Sequence, residues 1–324
     1  MRRISYAAAI VEALRFSLAT DPNVSLVGSY VLGLGPKRAL MDAIRAEFPD
    51  RLHDPPTSEA ALVSLGAGAA MAGARPFVDI GTGSFSYVGW SPLVNEAAVA
   101  RYMSGGKLRV PVVYHMLHGL RGGGAAQHSH SPQAMLWNAA GLEIVLPSSP
   151  YDVKGLLRSA IKSDNPTVFI NHARLMDIEG DVPEEDYAIP FGKADIKRAG
   201  RDVTIVATSF VVHAALAAAQ ELAAEGIEAE VLDPRTLVPF DRVTLLDSVR
   251  RTGRLVIADE TNLSCGVAAE VAAIVAEDGF EFLRAPIMRV TRPDVPTPFS
   301  KPLEDAITPT AGKIAAAVRR VSAS

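Results

Sequence analysis

Short β-rich apolar runs alternate with alanine-rich helical runs along most of this 324-residue chain, and that alternation limits the fold more than any other feature. Strands are read at 23–30 (NVSLVGSY), 75–81 (RPFVDIG), 110–116 (VPVVYHM), 142–149 (LEIVLPSS) and 166–172 (PTVFINH), with helices at 59–73, 93–105 and 151–163. Strands apolar throughout, rather than on alternate residues, belong to a parallel sheet covered on both faces. From Arg174 to about Lys193 the pattern breaks into an acidic stretch with two prolines and no clear period, which reads as a linker or crossing segment. Alternation then resumes, with strands at 202–208, 228–233 and 254–260 and helices at 212–226, 240–253 and 267–279. The expectation is an α/β protein of two domains, 1–188 and 189–324.

Lysines and arginines are scattered and the formal charge is −4, so nothing points to nucleic acid or an anionic membrane as a partner. The single cysteine, Cys265, excludes an internal disulfide framework and fits a reducing compartment, the cytoplasm. At the N-terminus, Glu12 and Arg15 interrupt the apolar run and the Ala/Ile/Leu spacing is helical. An ordinary amphipathic first helix, ended by Asp21-Pro22-Asn23, is expected rather than a secretion signal. No apolar run approaches the roughly 20 residues of a membrane span.

Two stretches carry chemistry. In DPPTSEAALVSLGAGAAMAG (54–73), Pro55-Pro56 forces extended chain, and Thr57 or Ser58 can cap the next helix. Glu59 then stands in the first turn of a helix rich in Gly and Ala, a surface that lets another backbone come close. It is either a helix-start carboxylate favoured by the macrodipole or a catalytic carboxylate in an apolar seam, where desolvation favours protonation. In HGLRGGGAAQHSHSPQ (118–133), Gly122, Gly123 and Gly124 permit positive φ and close ligand approach. No GxxxxGK[ST] pattern is present, so this is not a phosphate loop of that kind. His128 and His130 could join His115 or His118 on zinc, serve as plain hydrogen-bonding loop residues, or act catalytically on a flexible glycine loop.

The segments DPPTSEAALVSLGAGAAMAGARPFVDI, PLVNEAAVARYMSGGKLRVPVVYHM, RGGGAAQHSHSPQ and LPSSPYDVKGLLRSAIKSDNPTVFI resemble the beta subunit of the thiamine-diphosphate-dependent, decarboxylating component of 2-oxo acid dehydrogenases. That group includes the pyruvate, branched-chain and acetoin enzymes. In the second half, GKADIKRAGRDVTIVATSFVVHAALAAAQEL, EVLDPRTLVPFD and RVTRPDVPTPFS are similar to the same family. The resemblance implies a pyrimidine-binding domain followed by a transketolase-like C-terminal domain.

It also implies roles. Glu59 matches the glutamate that hydrogen-bonds the aminopyrimidine nitrogen of the cofactor. Phe85 matches the aromatic residue that stacks on that ring, its ordinary alternative being core, and Thr57 and Gly81 complete the implied cofactor-binding set. His128 matches an active-site histidine that serves acyl transfer to lipoamide. A GDG pattern followed some 25 to 30 residues on by Asn is missing. An alpha subunit would therefore hold Mg²⁺ and the diphosphate in an α₂β₂ heterotetramer, with a lipoyl acyltransferase as acceptor and a small 2-oxo acid or acetoin as substrate. A monovalent cation, K⁺ in this family, would sit on backbone carbonyls near Val112, Ala160, Ser163 and Asn165.

Four departures from the family pattern fall near the implied site. Gly28-Ser29-Tyr30 replaces an acidic GED-type turn, and Gly81-Thr82-Gly83-Ser84 is smaller than usual. His130 stands where Gln is common, and TNLSCGVAAE (261–270) replaces a more glycine-rich form. The alternatives are a subunit of a split transketolase-like carboligase moving a two-carbon unit without a lipoyl partner, and a non-catalytic scaffold or histidine-cluster metalloprotein.

Overall fold

The computed structural model describes residues 1–28 and 36–323, so Ser29 and Tyr30 of the unusual turn lie outside the described residues. The chain forms two compact units: Met1–His118 with Leu136–Phe191, and Gly119–Met135 with Gly192–Ser324. The glycine-histidine loop thus belongs to the second unit, although by sequence it interrupts the first. Among the described residues no helix is long and apolar enough to cross a membrane.

In the first unit six strands run parallel, in the order Glu143–Val145, Thr167–His172, Val113–His118, Arg75–Thr82, Val24–Val27 and Leu52–His53. The central strands are buried along their length, as continuous apolar runs require. Helix Tyr6–Thr20 begins at a Ser5 cap whose hydroxyl accepts from the Ala8 N–H, and packs on helix Pro150–Lys162. Tyr6, Ile10 and Leu14 carry its buried stripe.

The small-residue helix Glu59–Met71 lies on its own sheet: a Cβ on Gly66 would come within 2.6 Å of Val78 Cγ2 and 3.3 Å of the Tyr114 ring. The Tyr114 hydroxyl donates to Val63 O at 3.0 Å, and burial pushes its pKa well above the ordinary phenol range. Part of the Gly/Ala content therefore serves close packing inside the chain, while Ala61, Leu65 and Gly68 stay exposed on the opposite face.

Two segments differ from expectation. The helix expected over 93–105 divides into a π-helical turn, Pro92–Ala97, and a short α-turn, Ala100–Met103, with the Ala98 N–H reaching back to Leu93 O. The acidic segment after Arg174 contains a strand, Glu179–Val182, paired antiparallel with Arg2–Ser5. Beyond this strand the chain is held by cations. Lys154, fully buried, donates to Pro183 O at 2.6 Å, and Arg158 makes two bonds to Asp186 at 2.6 and 2.8 Å. Those arginine bonds hold the Asp186 carboxyl below the usual carboxylate range.

In the second unit the strand order is Met288–Arg292, Leu255–Asn262, Val203–Ala207, Ala229–Asp233 and Asp195–Arg198, the first four parallel and the last an antiparallel edge. Helices Val211–Ala223 and Ala311–Ser322 close one core around Ile205, Val231, Ile314 and Val318. Helix Arg242–Thr252 ends at Gly253, whose φ of +71° is the left-handed conformation that glycine adopts without strain.

Candidate active site

In an open parallel sheet, ligands meet the loops at the carboxyl ends of the strands. In the first unit the residues that resemblance marked for the pyrimidine stand at or next to those strand ends. Strand Leu52–His53 leads through Pro55-Pro56 into helix Glu59–Met71, and strand Arg75–Thr82 into a 3₁₀ turn, Gly83–Tyr87, that bears Phe85. Ser58 takes the extended N-cap backbone, but its side chain makes no capping bond. Thr57 is exposed, and Glu59 is half-buried at the first helical position.

Phe85 and Glu59 are brought together by a glycine. Phe85 O accepts from the Val88 N–H at 3.0 Å, and Gly89 then passes over the helix start. A Cβ on Gly89 would stand 3.2 Å from Glu59 O and 2.8 Å from Val63 Cγ2. The Phe85 ring is half-buried, neither sealed in the core nor free on the surface. Gly81 has φ +73° with nothing within 4 Å of a would-be Cβ, so backbone conformation, not space, requires glycine there.

Behind this edge lies a network that sequence reasoning missed. His115 Nδ1 donates to Asp79 Oδ1 at 2.8 Å, Asn171 Nδ2 donates to His115 Nε2 at 2.9 Å, and the Tyr6 hydroxyl donates to Asn171 Oδ1. All four side chains are fully buried. Phe77 stacks on His115 with centroids 5.3 Å apart. The Gly81 N–H also donates to Asp79 Oδ1 at 3.1 Å, which ties the network to the Phe85 turn. The available signal was three polar residues inside apolar strands: PFVDI, VVYHM and VFINH.

This network also answers the zinc reading. Both His115 ring nitrogens are engaged, and His118 is buried edge-on against His172 with centroids 4.9 Å apart. Among the described residues no group of three or more His, Cys, Asp or Glu could hold a metal ion.

In the second unit the loop 119–130 closes on itself where the Gly119 N–H donates to His130 O at 3.3 Å. Gly122 and Gly123 have φ +77° and +91°, and their N–H groups donate to Glu304 Oε1 and Oε2 at 2.7 and 3.2 Å. The Leu120 N–H donates to Glu260. Arg121 donates to His128 O and Arg292 to Ser129 O, the Nε and Nη1 distances being 3.0 and 2.9 Å. The His128 imidazole is exposed. His130 has its pKa pushed below the ordinary imidazole value by desolvation and then by the Arg292 charge. Glu260, Arg292 and Glu304 lie more than a hundred residues from the loop in sequence, where no local pattern links them to it.

The segments named for a monovalent cation meet at the end of helix Pro150–Lys162. Val112 O accepts from the Thr167 N–H at 2.9 Å, and Ala160 O from the Ser163 N–H at 3.2 Å. Arg75 donates to Ser163 O at 2.9 Å and Ile161 O at 3.2 Å. Asn165 Nδ2 donates to Glu143 at 3.0 Å. A guanidinium therefore already supplies positive charge at this carboxyl end.

Residues 2–177 match the transketolase pyrimidine-binding domain and residues 192–314 the transketolase C-terminal domain. The chain is 43% identical to the acetoin:2,6-dichlorophenolindophenol oxidoreductase subunit beta of Cupriavidus necator, over 98% of this chain and 97% of that protein. It belongs to the beta-subunit family of the thiamine-dependent 2-oxo acid and acetoin dehydrogenases. Within this family it is 41% identical to the protein of the same name from Bacillus subtilis, over 97% of the chain and 95% of that protein. It is 35% identical to the 2-oxoisovalerate dehydrogenase subunit beta of Bacillus subtilis, over 99% of each. Among solved structures, a split-gene transketolase described as an inactive beta4 tetramer superposes with a TM-score of 0.81 at 24% identity, over 99% of this chain and 98% of that one, which speaks for the fold alone.

Proposed function

We propose that this chain is the beta subunit of a thiamine-diphosphate-dependent dehydrogenase that cleaves acetoin, acting with an alpha subunit in an α₂β₂ assembly. The observation that carries the reading is Glu59 at a helix start, packed beside the Phe85 turn on the carboxyl edge of a parallel sheet, in a chain of this family. Acetoin is preferred over a branched 2-oxo acid because identity is 43% and 41% to the two relatives named for acetoin and 35% to the one named for 2-oxoisovalerate.

When bound, the cofactor supplies a carbanion that attacks the substrate carbonyl. The chain's own part is to hold the pyrimidine end. The Glu59 carboxyl bonds the ring nitrogen and governs its proton, Phe85 stacks on the ring, and Thr57 and Gly81 border it. A half-buried Glu59 fits this task, since an arriving pyrimidine and alpha subunit would remove its remaining water. No GDG…Asn pattern occurs in the chain, so Mg²⁺ and the diphosphate fall to the alpha subunit. A monovalent cation at the end of helix Pro150–Lys162 would add to Arg75, since each carbonyl there keeps a second lone pair.

The net reaction breaks the bond between the carbonyl and carbinol carbons of acetoin and releases acetaldehyde. The remaining two-carbon unit leaves as an acetyl group, and two electrons pass to an acceptor. With a lipoyl acyltransferase, the disulfide accepts both the electrons and the acetyl group, and His128 serves that transfer. An exposed free Cys265 agrees with a reducing, cytoplasmic setting.

The test is co-expression with an alpha subunit and dye-linked turnover on acetoin, pyruvate and 2-oxoisovalerate. Acetoin should lead in kcat/KM by at least about tenfold, the scale on which a pocket separates substrates of such different shape. Turnover led by 2-oxoisovalerate would replace acetoin with a branched 2-oxo acid. Ketol transfer to an aldehyde without dye reduction would overturn the dehydrogenase reading.

A further inference from the structure

The loop that carries His128 makes little apolar contact: from Gly122 to His128 every residue is exposed or half-buried. Such a segment samples many conformations unless polar bonds restrain it. The restraint here is ionic and comes from deep inside the second unit. Glu304 is 1% exposed, Glu260 2% and Arg292 4%. Burying charge is unfavourable unless each group is matched by hydrogen bonds, so these side chains are a poor way to gain stability and a good way to fix a geometry.

Glu304 is the most specific of them. Its two carboxylate oxygens take the N–H groups of consecutive residues, at 2.7 and 3.2 Å. Consecutive N–H groups converge on one anion only when the backbone folds into a small concavity. Gly122 and Gly123 do this at φ +77° and +91°, a region where side chains are strained. The glycines and the glutamate, 182 and 181 residues apart, therefore act as one device. At the far end of the loop Arg121 takes the carbonyl of His128 and Arg292 that of Ser129. His128 is thus presented from a backbone pinned on both sides.

We infer that Glu304 is a positioning residue, whose buried carboxylate anchors the glycine turn and so sets where His128 meets the acyl group. The inference rests on the role proposed above for His128.

The experiment uses the full alpha–beta assembly with E304A, E304Q, H128A and the double variant H128A/E304A. Two rates are read: dye-linked acetoin cleavage, and acetylation of a lipoylated protein domain. H128A should slow acetylation strongly. E304A should slow it about tenfold, within the range that a small misplacement of a reacting group produces, while dye-linked turnover changes less than about twofold. E304Q, which keeps one acceptor oxygen, should fall between. The double variant should be no slower than H128A, because an anchor has nothing left to position. Amide hydrogen exchange in E304Q should rise across 119–130 and nowhere else, which keeps the test open should E304A not fold. If H128A slows acetylation as expected but the Glu304 variants do not, or slow both rates alike, the anchor role is wrong. If H128A itself transfers acetyl at the normal rate, the proposed role of His128 fails first and the inference falls with it.

Discussion

His115 and Asp79 form a fully buried pair, Nδ1 to Oδ1 at 2.8 Å, at paired positions of adjacent parallel strands. Asp79 also receives the Gly81 N–H, so the pair sets the start of the turn that carries Phe85. Replacing His115 with Ala would leave Asp79 and Asn171 each without this partner in the core. The expected loss is about 2 kcal/mol, within the range for leaving buried hydrogen-bonding groups unsatisfied. Urea unfolding of the full chain measures it, and a loss below about 1 kcal/mol would mean that water fills the gap and satisfies both groups.

Glu59→Gln keeps the size of the side chain and its place at the helix start, so assembly should survive. What it removes is a carboxyl that can govern a ring proton. Turnover of the alpha–beta complex should fall at least about 10²-fold, the lower range for a lost general acid or base. Turnover near wild type would show that the carboxylate serves only the helix dipole.

The α/β alternation was legible in the sequence because both periods come from backbone geometry: buried parallel strands are apolar throughout and helices repeat every 3.6 residues. Strand Arg75–Thr82 and helix Glu59–Met71 lie within two residues of their expected ends. The hidden part depends on contacts between distant residues. Nothing in HGLRGGGAAQHSHSPQ says that its glycines answer to Glu304 or that the loop packs with the second unit. Strand Glu179–Val182 puts only Gly180 and Val182 on its inner face, an alternation too short to stand out in an acidic segment, and it belongs to a two-stranded ribbon rather than a core sheet. The roles proposed for Glu59, Phe85 and His128 rest on resemblance. Geometry adds that the first two share one packed edge, through Gly89.

Phe85→Ala should weaken binding of thiamine diphosphate about threefold to tenfold, the equivalent of roughly 0.5–1.5 kcal/mol for an aromatic pair. Phe85→Leu, which retains apolar area, should lose less. Cofactor titration by tryptophan fluorescence, with kcat at saturating cofactor as the second readout, separates binding from chemistry. An Ala variant that binds normally yet turns over slowly would move Phe85 from the cofactor to the substrate.

His130 offers a test in pH. Its pKa lies below the ordinary 6.5, because desolvation and the Arg292 charge both disfavour the imidazolium. Below about pH 6.5 the unfolded chain therefore takes up a proton at this residue that the folded chain resists. More protons bound in the unfolded state means that stability falls as pH falls from about 6.5 down to the lower folded value, and is flat in this respect above about 6.5. His130→Gln removes the group that titrates while retaining a polar side chain. Melting temperatures of wild type and variant, followed from pH 7.5 to 5.5, should keep a constant difference above pH 6.5 and diverge below it, with wild type losing more. Parallel curves through the whole range would mean that His130 gains its proton as readily in the folded loop as in the unfolded chain.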